Sequence, residues 1–182
     1  MKTAAVFLID DFEETEGLTT VDILRRGKVE VTTVSLTGKL EVKGKHNIIV
    51  KADELFDDAI KREFDMLIIP GGTTDHAQHR GLINLVQEYN AKGKPIAAIC
   101  AAPAVLGAAG IIKGKKAVCY PGMEFYLEGA FIGENNIEID GNIITAKGPA
   151  ITPFFALKLL ELLRGGLIAE EVGQGFLIPL IK

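Results

Sequence analysis

Three short apolar runs constrain this chain most: AAVFLI at 4–9, MLII at 66–69 and IAAI at 96–99. Each has the length of a strand and no polar residue to turn toward water. Strands of that kind belong in a mostly parallel sheet whose two faces are covered by helices. Between them lie stretches with helical spacing. Leu18, Val21 and Leu24 set it in 13–26, and 53–62, 82–91, 101–110 and 152–164 read as further helices, the last stopped by Gly165-Gly166. The β-branched run EVTTVSL at 30–36 predicts another strand, and 116–120 a fifth strand of the sheet. Residues 40–42 and 47–50 read as a peripheral hairpin, and Ile-Asp-Gly-Asn-Ile within 138–146 signals a second one. Strands alternating with helices predict an α/β architecture, and no linker or repeat divides the chain, so 1–182 reads as a single domain.

At 182 residues the chain can bury roughly 70% of its unfolded surface, enough to fold without a disulfide or metal staple. Its two cysteines make no disulfide framework. A net charge of −4 with no basic stripe argues against sequence-specific nucleic-acid binding and against anionic membrane surfaces. Two segments imitate other signals. Asp10-Asp11 cuts the first apolar run short of a signal peptide, and the uncharged stretch 95–112, broken by Pro95 and Pro103, reads as strand, turn and helix rather than a membrane span. The expected location is the cytoplasm.

Ligand sites on parallel sheets sit beyond the carboxyl ends of strands, which nominates the loops 10–16, 71–79 and 100–102. The richest stretch is Ala97-Ala98-Ile99-Cys100-Ala101-Ala102-Pro103. A strand running straight into a helix places Cys100 on a sharp turn, where only small neighbours such as Ala98 and Ala102 fit. A helix start facing the sulfur predicts a lowered thiol pKa; the plain alternative is a buried core cysteine. Gly71 and Gly72 bring backbone amides near a substrate oxygen, with the Ala101 amide as a second donor. Glu13, Glu14 and Glu16 lie at the same rim, and Glu16, beside a thiolate, would stay protonated and shuttle a proton. Of the histidines, His46 reads as surface, and His76 and His79 as a solvated loop without a third metal ligand. Tyr120 is expected to face the site and Cys119 the core.

Taken together, Glu13-Glu14-Thr15-Glu16, Leu67-Ile68-Ile69-Pro70-Gly71-Gly72, Ala97 to Pro103 and Thr145-Ala146-Lys147-Gly148-Pro149 resemble, in order and spacing, the ThiJ/PfpI superfamily and its DJ-one (parkinsonism-associated deglycase) branch. The resemblance implies a flavodoxin-like three-layer α/β/α sandwich, like that of class I glutamine amidotransferases, and a homodimer. It implies that Cys100 is a reactive, oxidation-prone cysteine, Glu16 its protonated partner, and Gly72 and Ala101 the oxyanion amides, with Tyr120 and Gly71 on the substrate pocket. No cofactor and no metal are implied. Two positions depart from relatives. Tyr120 stands where a histidine often precedes the proline, and tyrosine is a poor base near neutral pH. Ala101 stands where protease relatives place a histidine, which argues against a Cys-His protease.

These residues predict a cysteine-dependent, glutathione-independent glyoxalase or deglycase acting on a small aldehyde through a Cys100 hemithioacetal. The alternative is a redox-sensing stress-response protein or chaperone oxidised at Cys100. The helix faces and the apolar tail 175–181 suggest an interface without locating it.

Overall fold

The computed structural model describes residues 1–180, so Ile181 at the end of the apolar tail lies outside the described residues. In chain order the elements are β1 (Thr3–Leu8), α1 (Glu14–Arg26), β2 (Glu30–Ser35), β3 (Glu41–Lys43), β4 (Ile49–Lys51), β5 (Glu54–Leu55), α2 (Phe56–Ala59), β6 (Met66–Ile69), α3 (Arg80–Ala91), β7 (Ile96–Ile99) and α4 (Pro103–Ala108). They continue with β8 (Lys116–Ala117), β9 (Phe131–Ile132), β10 (Ile137–Asp140), β11 (Ile143–Ala146), α5 (Thr152–Arg164) and α6 (Gly166–Gly175).

Seven strands form one sheet in the order β10-β11-β7-β6-β1-β2-β5. Every neighbouring pair is parallel except β10 with β11, the hairpin signalled by Ile-Asp-Gly-Asn-Ile. The apolar runs fill its centre because their side chains alternate between two cores. Ala4, Val6, Leu8, Met66, Ile68, Ala97 and Ile99 meet α1 and α5 on one face. Ala5, Phe7, Leu67, Ile69, Ile96 and Ala98 meet α2, α3 and α4 on the other. The result is the three-layer α/β/α sandwich. In α5, Phe155, Ala156, Leu159, Leu160 and Leu163 form the inward stripe, and Leu160 lies where a side chain on Gly27 would have to go.

Several elements differ from the sequence reading. The stretch 53–62 is not one helix: Glu54–Leu55 pairs with β2 as an edge strand and only Phe56–Ala59 is helical. Asp53 causes this, because its carboxylate accepts from the Thr33 amide and hydroxyl, both at 2.8 Å, and its own amide donates to the Thr33 carbonyl. Residues 116–120 do not join the main sheet; only Lys116–Ala117 is strand, paired with β9. The helix after Cys100 starts at Pro103, leaving Cys100 to Ala102 as a turn. Gly165 ends α5 at φ +91°, yet the chain resumes at once as α6, whose Ala169 and Gly173 are small enough for close packing beside α5. Among the described residues no helix is long and apolar enough to cross a membrane.

Phe155 is fully buried between α5 and the sheet. Phe155→Ala should cost about 3–5 kcal/mol in urea unfolding. A loss below about 1 kcal/mol would contradict the packing described for this layer.

Candidate active site

The chain switches direction across the sheet between β1 and β6, since β1 leads outward to β2 while β6 and β7 lie on its other side. A crevice forms at the carboxyl ends of strands at such a point. The loops after β1, β6 and β7 meet there. Cys100 sits on the last of them with φ 65°, in the left-handed region that non-glycine residues rarely occupy. Two hydrogen bonds hold it in that conformation: its amide donates to the Ala146 carbonyl at 2.9 Å, and its carbonyl accepts from the Tyr120 amide at 2.8 Å. Ala98 and Ala102 beside it are fully buried.

The glycines after β6 serve two different needs. A side chain on Gly71 would come within 2.7 Å of both the Cys100 Cβ and the Ala101 amide nitrogen. Gly72 has φ +93°, and a side chain there would stand 2.3 Å from the Glu13 amide nitrogen. The backbone amides of Gly72 and Ala101 interact with the Cys100 sulfur and favour its ionised form. Gly71 is a correction to the sequence reading. It does not line the cleft; its amide donates to Glu16 Oε2 at 2.7 Å and its carbonyl accepts from the Glu13 amide.

Glu16 lies in the first turn of α1 and is fully buried. Its Oε1 has no hydrogen-bond partner that meets full geometry among the described residues, and the Cys100 sulfur is the side-chain group that interacts with the carboxyl. Burial raises its pKa to about 7, with Glu13 adding, while hydrogen bonds from Gly71 and Cys100 pull the other way. The expected lowering of the thiol does not occur. Burial first, then the charge and hydrogen bond of Glu16, push Cys100 up to about 12 against the two amides. The helix contributes little, since α4 has six residues and begins three positions later. Each acidic group thus resists ionising beside the other, and between these limits one proton serves the pair. In that range the proton rests mainly on sulfur, and thiolate arises only when Glu16 takes that proton.

A cleft of ≈ 510 Å³ opens onto the sulfur. Gly72, Cys100, Ala101 and Tyr120 form one part of its wall and Glu13, Lys45, His46, Met123 and Pro149 the rest. A cleft of ≈ 590 Å³, at Met1, Lys2, Lys28, Asp65 and Arg164, is lined by no cysteine, serine or histidine. Cys119 is buried in the core facing α3 and α4, its thiol pushed up to about 11 by burial.

The histidines depart most from expectation. His76 is not solvated. It is fully buried on the 3₁₀ turn Asp75–Gln78, neither ring nitrogen has a partner of full geometry among the described residues, and burial pushes its pKa down to about 4. His79 caps α3 by accepting from the Leu82 amide at 3.0 Å and packs edge-on against Phe56. His46 is at the surface as expected, 65% exposed, and it also belongs to the cleft wall. Its Nδ1 lies 2.9 Å from Glu14 Oε2 and 3.7 Å from Glu13 Oε2. Glu13, Glu14 and His46 bring ligand-type atoms within 4.8 Å of one another. The sequence held a partial signal for His46 in the hairpin 40–50, but nothing local says that the hairpin folds over the start of α1.

The pattern of the DJ-1/PfpI family matches residues 2–162. Protein DJ-1alpha of Drosophila melanogaster is 36% identical, covering 97% of this chain and 84% of that protein. The Parkinson disease protein 7 homolog of Danio rerio is 31% identical, covering 94% of both. The chain spans only 36% and 45% of two Arabidopsis thaliana relatives, DJ-1 homologs B and A. Among solved structures, oxidized Toxoplasma gondii DJ-1 superposes with a TM-score of 0.93 at 32% identity, over 97% of this chain and 98% of that one. Drosophila melanogaster DJ-1beta gives 0.92 at 34%, over 97% of each.

The raised Glu16 pKa fixes a pH dependence of stability. In the unfolded chain the carboxyl titrates near 4.5 and in the fold at about 7. Its contribution is complete below the lower value and is lost as pH rises through the upper one, a fall of about 3 kcal/mol. Glu16→Gln lacks this titration. Urea unfolding at pH 4 and pH 8 should therefore show the variant gaining about that much on the wild type across the interval. Parallel stability curves would contradict the burial and pairing of this carboxyl.

Proposed function

The chain belongs to the DJ-1/PfpI family, and from that membership together with its Glu16–Cys100 pair we propose a cysteine-dependent, glutathione-independent glyoxalase or deglycase. The observation that carries the reading is a buried carboxyl, titrating at about 7, beside a cysteine that opens onto a cleft. Such a pair supplies a nucleophile and an acid together.

The steps follow from that geometry. Cys100 thiolate adds to the aldehyde carbon of a 2-oxoaldehyde such as methylglyoxal. The carbonyl electrons move to oxygen, which takes the Glu16 proton, giving a hemithioacetal. The Gly72 and Ala101 amides stabilise the developing oxyanion. Glu16, now carboxylate, removes the proton from the carbon bearing sulfur, giving an enediolate, and returns it to the adjacent carbon while the hydroxyl proton on the sulfur-bearing carbon passes to the neighbouring oxygen. The product is a thioester on Cys100, and water releases lactate and the thiol. A glycated amine or thiol carries the 2-oxoaldehyde as a carbinol adduct; in the deglycase form that adduct releases the amine or thiol as its carbonyl reforms, and Cys100 adds to the carbonyl and enters the same sequence. Tyr120 on the cleft wall contributes a hydrogen-bond donor. The remaining parts of the proposal are that 1–182 is one domain, that the protein works in the cytoplasm, and that it is a homodimer through apolar side chains left exposed, such as Leu18 and Ile49.

A redox-sensing role in stress response, alone or as a chaperone, is a second reading favoured by one observation: oxidized Toxoplasma gondii DJ-1 has almost the same fold. Protonated Glu16 could hydrogen-bond a sulfinate on Cys100.

Lactate formation from methylglyoxal without glutathione should vanish in Cys100→Ser and fall at least about 10²-fold in Glu16→Gln. Full activity in either variant sinks the enzymatic reading. Mild peroxide should add oxygen to Cys100 ahead of Cys119, checked by peptide mass spectrometry; the reverse order counts against redox sensing.

A further inference from the structure

Glu14 is a carboxylate almost wholly committed to one loop. Its side chain is 6% exposed, yet it is not used by the Cys100–Glu16 pair. Its Oε1 accepts the His46 backbone amide at 2.7 Å and, at 3.5 Å, the Ile48 amide. Its Oε2 meets His46 Nδ1 at 2.9 Å. A carboxylate can only accept, so the ring proton sits on Nδ1 and Nε2 carries a free lone pair. The ring belongs to the wall of the Cys100 cleft and is 65% exposed.

We propose that His46 is the base that activates water against the acyl–Cys100 thioester, with Glu14 as the residue that positions its ring. This rests on the reading of Cys100 as an acyl-carrying nucleophile. The water oxygen bonds to the thioester carbon while a water proton moves to His46 Nε2. The carbon–sulfur bond breaks with its electron pair on sulfur, and the imidazolium returns its proton to the sulfur through solvent. Two proton-handling groups then work at different depths. Glu16 is fully buried with one oxygen held by Gly71, suited to protons that stay on the substrate. The hydrolytic water enters from solvent, where His46 stands. The charged or titratable groups facing the ring are Glu13 just ahead of α1 and Glu14 on it, Lys45 on its own loop, and Cys100 and Tyr120 elsewhere on the cleft wall. The Glu14 hydrogen bond, then the charges of Glu13 and Glu14, hold the imidazole above its ordinary pKa, which strengthens it as a base.

The test loads Cys100 with an acetyl group from p-nitrophenyl acetate and follows its loss by intact mass, in wild type, His46→Gln and Glu14→Gln. In His46→Gln the acetyl–enzyme should still form, and once formed it should decay about 10²-fold more slowly. In Glu14→Gln the pH midpoint of decay should move down, because the charge that raises the imidazole pKa is gone; a merely structural loss would lower the rate without moving the midpoint. Equal decay in wild type and His46→Gln across pH 5–9 overturns the assignment. Methylglyoxal separates this from the glyoxalase reading. If wild type shows His46-dependent deacylation but makes no lactate, the glyoxalase reading falls and the His46 role stands. If wild type and His46→Gln make lactate equally, with no lactoyl–Cys100 accumulating, the His46 role falls alone.

Discussion

Gly71 makes two hydrogen bonds on which the rest of the site depends. Its amide donates to Glu16 Oε2 at 2.7 Å and its carbonyl accepts from the Glu13 amide at 2.9 Å. Both partners lie at the start of α1, so the end of β6 is tied to that helix across the switch point of the sheet. On its other side the Gly71 backbone lies so close to Cys100 Cβ and the Ala101 amide that no side chain fits between. Three loops from β1, β6 and β7 are thereby fixed around one residue without a side chain. The same contact sets the chemistry. A single amide is a modest counterpart for a carboxylate withdrawn from water, since burial costs an ion more than one neutral hydrogen bond restores. Glu16 therefore keeps its proton into the neutral range.

A strained nucleophile needs a scaffold that does not yield. A non-glycine residue in the left-handed region stores on the order of 1–3 kcal/mol, which surrounding structure must over-determine. Cys100 gets that support from the sheet itself, because its amide continues the β7–β11 pairing onto the Ala146 carbonyl. The central strands are rigid for a plain reason: they bury residues on both faces, in two cores that no solvent-facing side interrupts. The antiparallel edge strand β10 protects β11, and through it the register that holds the elbow. Fold stability and site geometry are then one property on this side of the molecule.

What could be read from the sequence follows the range of the forces involved. The apolar runs of β1, β6 and β7 and the stripe of α5 announced themselves, because burial on both faces or along one stripe leaves a local pattern. The elbow at Cys100 and its small neighbours were legible for the same reason. Asp53 was not: it reads as the start of an acidic helix, and only its bonds to Thr33, twenty residues earlier, make the next residues a strand. Residues 116–120 look like a core strand yet pair mostly outside the sheet, since β11 takes the place beside β7. The thiol pKa was misjudged because helix polarity was given weight that burial and a neighbouring carboxyl outweigh. His46 escaped because its importance arises from a contact between a hairpin and a helix thirty-two residues apart in the chain.

A buried pair that shares one proton can move that proton only between its own atoms and whatever lies against them. It is well suited to a shift within a bound molecule, where nothing is gained from or lost to solvent. Release of a thioester is different, because a water must come in and a proton must go out. Glu16 has no opening to solvent, enclosed as it is by α1, Gly71 and the sulfur. The cleft has one, past the loop that Glu14 holds. The separation also explains how tyrosine at position 120 is compatible with turnover. On the proposed reading a hydroxyl there would orient a substrate oxygen by donating to it, and the requirement for an imidazole would pass to a residue that reaches the same cleft from another side. The proposed division of labour is between a dry pocket floor that would rearrange and a wet rim that would exchange, and the sheet switch point is what would allow one cysteine to face both.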